Sequence, residues 1–399
     1  MPRALWILII GMALNVTASS FLWPLNTIFI HDHFGKSLSA AGIILMANAL
    51  ASVIGNLVGG SLFDKIGGYK TSLAGVFITV AASIGLAINH QWIPYIVLLT
   101  ISGFGTGIIF PAIFAMAGSC WKEGGRKAFN AIYVAQNLGV ALGSALGGVI
   151  ASFSFDYIFT ANMGMYLLFM VLAIFGFKGM EGDAGGQMSL LNEQQPMKNQ
   201  KRLYALLTLC LGYFLCWVGY VQWQSTIAAY TQEIGISLKQ YSVLWTINGA
   251  LIVLAQPIVS MVIKWFAKSL KIQLVTGMLI FIMSFSVAAN ADGFSGFLTA
   301  MVVLTIGEMF VWPAVPAVAD TLAVRGKEGF YQGIVNSTAT GGRMAGPLVG
   351  GFLVDGYGMN MMFSVLSVFF IMAILTTLCY DRILKGARQG AEPASHAHK

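Results

Sequence analysis

Glu308 stands alone in the stretch TIGEMFVWPAVPAVAD (305 to 320), a carboxylate flanked by apolar residues for more than a helical turn on either side. Arg343, in TGGRMAGPLVGG, is just as isolated. Two chemistries suit such residues. A carboxylate and a guanidinium can pair and lock two helices together. Alternatively, the acid can bind and release a proton as its surroundings change, because burial and a nearby cation act on its ionisation in opposite senses. A charged side chain at the centre of a membrane helix costs about 2.5 to 3.5 kcal/mol on insertion scales, so each is expected to face protein or water and to have a partner.

The elements that carry these two residues follow from composition. Of 399 residues, 57% are hydrophobic and 9% charged, against roughly a quarter charged in a soluble domain. Crossing the hydrocarbon takes about 20 mainly apolar residues. The sequence divides into twelve such runs, near 4–30, 38–62, 71–89, 92–118, 127–153, 157–178, 203–231, 239–264, 270–290, 294–321, 328–355 and 359–381. The expected fold class is therefore an all-α membrane protein with twelve transmembrane helices. Lipid-spanning strands, which alternate over segments of roughly 10 residues, do not fit. The first run is too long for the core of a signal peptide and has no small-residue cleavage site. Cys120, Cys210, Cys216 and Cys379 lack paired spacing and read as packing residues, not as a disulfide framework or a zinc site.

With the N-terminus inside, every Lys and Arg except Lys36, Lys239 and Arg343 falls on a cytoplasmic segment. That asymmetry is the positive-inside rule. It predicts a multi-pass protein of the cell membrane with both termini cytoplasmic, and it explains the net charge of +7 without a nucleic-acid partner. In this orientation the tenth run descends and the eleventh ascends, so Glu308 and Arg343 meet near the midplane as each other's natural partner.

The chain repeats itself. HFGKSLSA (33–40) matches EIGISLKQ (233–240), and Asn48 aligns with Asn248. FPAIFAMAG (110–118) matches WPAVPAVAD (312–320), GRKAFN (125–130) matches GKEGFY (326–331), and SALGG (144–148) matches PLVGG (347–351), all at offsets of 200 to 203 and in the same order. Such self-similarity marks repeated structural units. The expected domains are two pseudo-symmetric six-helix bundles, 1–178 and 203–384. A polar cytoplasmic linker (179–202) joins them, and a solvated tail (385–399) follows. Parallel repeats of this kind place a substrate site between the halves near the bilayer midplane.

GGSLFDKIGGYKTSL (59–73), after the second run, resembles the G-x-x-x-D-[RK]-x-G signature of the major facilitator superfamily through Gly60, Asp64, Lys65 and Gly67, with Lys70 left of the basic cluster that follows. LGVALGSALGG (138–148) resembles the fifth-helix G-P-x-x-G-G pattern of the drug:proton antiporter branch, with Ser144 in place of proline; the full form, GPLVGG, stands at 346–351. YVAQNLGVALGSALGG (133–148) and GEMFVWP (307–313) also look like multidrug exporters of that branch. The resemblance implies that Glu308 handles protons with Arg343 beside it, and that Asp64 holds the inner face closed against the start of helix 11. Gly60, Lys65, Gly67 and Lys70 would complete this gate. Ile132 and Leu99 occupy places where related proteins carry an acid and an arginine. Asp320, close to Arg325, reads as a local ion pair.

Polar and aromatic residues within the runs give a candidate cavity lining: Asn15, Asn26, Tyr133, Gln136, Asn137, Tyr213, Trp217, Tyr220, Gln222, Gln224 and Trp312. Hydrogen bonding between helices or ordinary packing is an equally good role for any one of them. Together they predict an aromatic, amide-rich chamber that suits an amphipathic or cationic substrate. Trp23 and Trp223, equivalent in the repeat, are expected to anchor at the membrane interface. Gly139, Gly143, Gly147, Gly346 and Gly350, with Pro347, are expected to let helices approach closely. No G-x-x-x-x-G-K-[ST] loop is present, so ATP is not the expected energy source. HDH (31–33) lacks a third ligand nearby, and no metal, cofactor or enzymatic activity is expected. The expected function is proton-coupled multidrug efflux by a monomeric antiporter, with a small-molecule substrate, protons and the lipid bilayer as partners. The alternatives are transport of a sugar, an amino acid derivative or a lipid, and a non-transporting sensor on the same fold.

Overall fold

The computed structural model describes the chain except residues 23, 24, 152, 181–195, 267, 268 and 383–399. The expectations for Trp23, for most of the linker and for the tail lie outside the described residues. Within the described residues sixteen α-helices follow one another: α1 (Arg3–Leu22), α2 (Asn26–Asp32), α3 (Leu38–Ile66), α4 (Gly68–Ile88), α5 (Trp92–Cys120), α6 (Arg126–Ala151), α7 (Phe155–Gly176), α8 (Pro196–Tyr220), α9 (Thr226–Glu233), α10 (Leu238–Leu254), α11 (Gln256–Phe266), α12 (Leu270–Ala289), α13 (Phe294–Val311), α14 (Ala314–Leu322), α15 (Glu328–Tyr357) and α16 (Met359–Cys379). Among the described residues there is no strand.

Among the described residues nine helical stretches are long and apolar enough to cross a membrane, or ten if α10 and α11 form one span bent by 58°. The helices α6 and α15 are more polar and glycine-rich, yet their 26 and 30 residues correspond to about 39 and 45 Å at 1.5 Å per residue, longer than the roughly 30 Å hydrocarbon core.

Several runs that read as single spans are broken. The run at 239–264 divides before Pro257, and the run at 294–321 divides at Trp312 and Pro313. Proline has no N–H to give the carbonyl four residues earlier, so an α-helix parts there readily. The run at 203–231 is interrupted by a 3₁₀ turn, Val221–Gln224, and α8 begins at Pro196, inside the stretch expected to be linker.

The internal repeat is written into helix starts. Ser37 and Ser237 cap α3 and α10 with the same backbone angles, φ −65° and ψ 154°, each accepting from the N–H three residues on. A left-handed glycine precedes each cap, Gly35 at φ 62° and Gly235 at φ 85°, where a side chain would be strained. Packing repeats as well. A methyl on Gly143 would lie 2.5 Å from the Thr17 carbonyl oxygen, and one on Gly139 2.8 Å from that of Ala13, so α6 is seated directly on α1. Gly346 and Gly350 abut Val221 and Gln222 in the same manner, seating α15 on the end of α8 and the turn after it. Pro347 faces outward from this seam.

The apolar core follows the two halves. One buried cluster gathers residues of α8 to α16, joined by Tyr133 from α6. A second gathers residues of the first half, joined by Ala317 from α14. A third lies around Phe29, Tyr95 and Phe159.

Candidate functional site

Four helices deliver the centre of the molecule. Tyr213, Trp217 and Tyr220 recur on α8 at spacings of four and three, which puts them on one face. Asn248 comes from α10, Arg343 from the middle of α15, and Glu308 from the last turn of α13. Trp312, just past that turn, donates its backbone N–H to the Glu308 carbonyl at 3.0 Å, and the same four-residue spacing brings its indole over the carboxylate.

Glu308 is 1% exposed. The Asn248 amide donates to its Oε1, Trp312 Nε1 donates to its Oε2 at 3.2 Å, and the Tyr220 hydroxyl is a further hydrogen-bond partner. Asn248 also donates to Thr305 Oγ1 at 2.9 Å. A buried carboxylate is tolerated only where its oxygens are satisfied, and α10, α8 and α13 each contribute to satisfying this one.

Arg343 does not pair with Glu308. Its guanidinium lies over the Trp217 ring, 4.9 Å from the centroid, with Nη2 3.3 Å from Thr340 Oγ1. Trp217 is stacked on Trp312 with centroids 4.4 Å apart and planes within 10°. Acid, indole, indole and guanidinium thus form a row. The rotation of each residue about its helix axis inserts two aromatic rings between the charges. Tyr213, Tyr220 and Phe281 pack around Trp312 at 5.4 to 5.6 Å. Arg343 is exposed on its helix, so the row runs from a buried acid to an uncovered cation.

The other expected lining residues divide. Tyr133 is buried in the core cluster of the second half, so it brings the first half to this centre. Gln222 does not face a chamber: its amide donates to Gly346 O at 2.7 Å and Val218 O at 2.8 Å and its oxygen accepts from Thr226, fastening α8 to α15. Asn26 accepts from the Tyr95 hydroxyl at 2.9 Å, and Asn137 donates to the Tyr133 carbonyl. Asn15 is wholly buried with neither amide atom partnered. Gln136 is half-buried, and Gln224 is exposed on the 3₁₀ turn. Trp223 is fully buried, edge-on to Phe297, so it is not an interfacial anchor. In the HDH segment, His31 Nδ1 lies 2.9 Å from the Lys36 carbonyl oxygen.

A second constellation joins the halves where α3 ends and α15 begins. The Asp64 oxygens accept from Gly329 N at 2.7 Å and Phe330 N at 2.9 Å. These are unsatisfied donors of the first turn of α15, where the helix dipole also favours a carboxylate. Gly60 and Gly329 lie backbone to backbone, with no room for a methyl on either. Deeper along the same seam, Ser337 donates to the Val53 carbonyl at 3.0 Å and Asn56 to Thr340 at 3.4 Å. Lys65 and Lys70 are exposed, and Gly67, at φ 86°, ends α3. Asp320 lies against Gly118 of the first half.

One crossing contact went unread in the sequence. Arg126 Nη2 donates to the Met309 carbonyl at 2.8 Å. Pro313, four residues on, has no N–H to offer that oxygen, so an arginine from the first half takes its place. The signal was present as a proline four residues after a central carbonyl, although which residue would answer it was not.

Comparison with known proteins places this geometry in context. The family model described as Major Facilitator Superfamily matches residues 8–343 and 225–398. The chain is 59% identical over 395 residues, 99% of each chain, to the uncharacterized MFS-type transporter YttB of Bacillus subtilis (strain 168). It is 23% identical over 368 residues, 89% of this chain and 91% of the other, to the quinolone resistance protein NorA of Staphylococcus aureus. Among solved structures, the human organic anion transporter MFSD10 (TETRAN) superposes with a TM-score of 0.78 at 15% identity, covering 94% of this chain and all of the other.

Proposed function

Because the chain belongs to the major facilitator superfamily, we propose that it is a proton-coupled secondary transporter which exports amphipathic or cationic small molecules by alternating access, with Glu308 as the proton carrier. The observation that carries this reading is the buried, donor-satisfied Glu308 at the end of an aromatic row whose other end is exposed. An ionisable residue inside a membrane is expensive to keep, and proton relays are among its standard uses. The similarity to a quinolone resistance protein supports the direction of transport.

In this reading twelve spans form two bundles, 1–178 and 203–384, with both termini cytoplasmic in the cell membrane and the monomer as working unit. Asp64, Gly60 and Arg126 then close the cytoplasmic side, which leaves the Arg343 end of the row open outward. Protonation of Glu308 from outside weakens its hold on Asn248 and Trp312, and the α13–α14 break lets that change reach Arg126. Lys65, Gly67 and Lys70 shape the turn on which Asp64 sits.

Proteoliposomes with an imposed proton gradient test this. The wild type moves substrate uphill and dissipates the gradient, while Glu308→Gln does neither. A Glu308→Gln variant that still drove substrate against its gradient in response to protons would contradict the proposal. Transport of another solute class is a second reading, favoured by one observation: the charge open to the chamber is a cation.

A further inference from the structure

The match between FPAIFAMAG (110–118) and WPAVPAVAD (312–320) makes Gly118 and Asp320 mates at an offset of 202. The structure brings these mates into contact. A methyl built on Gly118, near the end of α5, would lie 2.4 Å from Asp320 Oδ1 on α14. Three residues earlier on each helix, Ala115 and Ala317 are mates as well, and both belong to the same buried cluster. Parallel repeats are related by an axis along the membrane normal, and for two halves that axis is two-fold. Mates can touch only where the axis passes between them. The contact of Gly118 with Asp320 therefore marks the centre line of the molecule.

This contact lies at the same end of the molecule as the Asp64 latch. A methyl on Gly68, the first residue of α4, would meet the Met116 side chain of α5 at 2.5 Å. Asp320 feels the charge of Glu328, at the start of α15, and that of Lys122, just past α5. On a two-fold axis a side chain occupies the space that its mate would need. Two glycines would leave a hole, and two aspartates would compete for one volume and repel. Here the pair is one of each, and Asp320 fills the notch that Gly118 leaves. The helix that carries it is set apart. α14 parts from α13 at Pro313, Gln332 Nε2 of α15 donates to its Pro316 carbonyl at 2.9 Å, and its Ala317 joins the core of the first half. A short helix that belongs to one half and is seated in the other must be withdrawn if the halves separate here.

We infer that Asp320, seated on Gly118, is a plug on the axis of the molecule, and that it must leave the Gly118 notch each time the two halves part at this end. The latch at Asp64 stands to one side, where α3 meets α15. The plug stands on the line along which a chamber between the halves would open. It works by filled volume: Gly118 supplies the space, Asp320 supplies the side chain, and α14 carries that side chain in and out by swinging at the break before Ala314. This rests on the reading that the halves alternate around a central chamber, and it assigns Asp320 and Gly118 as the residues that position the closed form. Neither touches Glu308, so the plug and the exchange of protons are measured separately.

The test exchanges the two residues in the full chain in lipid nanodiscs. Spin labels at exposed Lys70 and Tyr204, one on each half, are read by pulsed dipolar spectroscopy. Gly118→Asp puts two carboxylates on the axis, and Asp320→Gly leaves the notch empty. Each is expected to raise the long-distance population by about 2- to 150-fold, the span of coupling between residues in contact. Gly118→Asp combined with Asp320→Gly returns one side chain to the axis and restores the distances of the parent. Asp320→Asn keeps the shape and stays with the parent. Unchanged distances in both single variants overturn the inference. An exchange that is no more closed than the single variants also overturns it, because the two positions would then act independently. So does an Asp320→Asn variant as open as Asp320→Gly, since charge and not filled volume would then hold the face. Should a single variant fail to accumulate, recovery of folded, closed protein by the exchange supports the plug, and continued failure overturns it. No substrate or proton gradient enters the measurement. Proton-driven uphill transport by Glu308→Gln would thus sink the proton reading and spare the plug, and failure of the exchange to restore closure would do the reverse.

Discussion

Replacing Asp64 with asparagine separates the latch from its geometry. The carboxylate now accepts from two backbone donors at 2.7 and 2.9 Å, on the first turn of α15. Asparagine keeps one acceptor oxygen and turns an NH₂ toward the other N–H, so one charge-assisted hydrogen bond is lost, about 1.5 to 3 kcal/mol. The favourable placement of a charge at a helix N-terminus goes with it, worth about 0.3 to 1 kcal/mol. Together these shift the balance between closed and open forms of this face by about 2 to 4 kcal/mol, or about 30- to 700-fold in population at roughly 1.4 kcal/mol per decade. Spin labels at exposed Lys70 and Thr321, on opposite halves of that face, report the change as growth of a long-distance population in pulsed dipolar spectra. If Asp64→Asn gave the same distance distribution as the parent, in lipid and at neutral pH, the assignment of Asp64 as an inter-half latch would fail, because the two bonds would be shown to carry no conformational energy.

Arg126→Gln removes the donor on Met309 O and should widen the same label distance, at a cost of about 1.5 to 3 kcal/mol to the closed form; no widening would refute the role assigned to it. Gly346→Ala drives a methyl into Val221 and should lower thermal stability in detergent by the equivalent of about 1 to 3 kcal/mol. Gly341→Ala, which meets only Phe214 at 3.8 Å, should be neutral or slightly stabilising by the same melting assay. Gln222→Leu unties α8 from Gly346 O and should destabilise by about 1 to 3 kcal/mol in the same melting assay; an unchanged melting temperature would refute its role in fastening α8 to α15.

Periodicity and charge make the broad outline legible in the sequence. Long apolar runs announced membrane helices, and the match of 33–40 with 233–240 reappears as two serine caps of identical geometry behind two left-handed glycines. Glu308 was legible as a problem because an acid in an apolar run has no cheap surroundings. Its partners were not, since they depend on helix rotation: position along the axis predicted Arg343, whereas azimuth delivered Asn248 and the two indoles. The same gap explains Gln222, whose amide turned out to serve the α8–α15 seam, and Trp223, whose place near a helix end concealed full burial. Breaks were half legible. Pro257 and Pro313 gave the positions at which helices part, but not the 58° bend between α10 and α11 or the arginine that answers Met309.

The face-to-face indoles at 4.4 Å also give the molecule an optical signature. Chromophores this close exchange excitation and quench one another, so the pair emits differently stacked than apart. Any motion or occupant that pries Trp217 from Trp312 therefore changes intrinsic emission at the point where charge and cargo meet. With the seven other tryptophans of the nine replaced by phenylalanine, the protein would need no attached dye: the colour and lifetime of its own light would record each passage through the transport cycle.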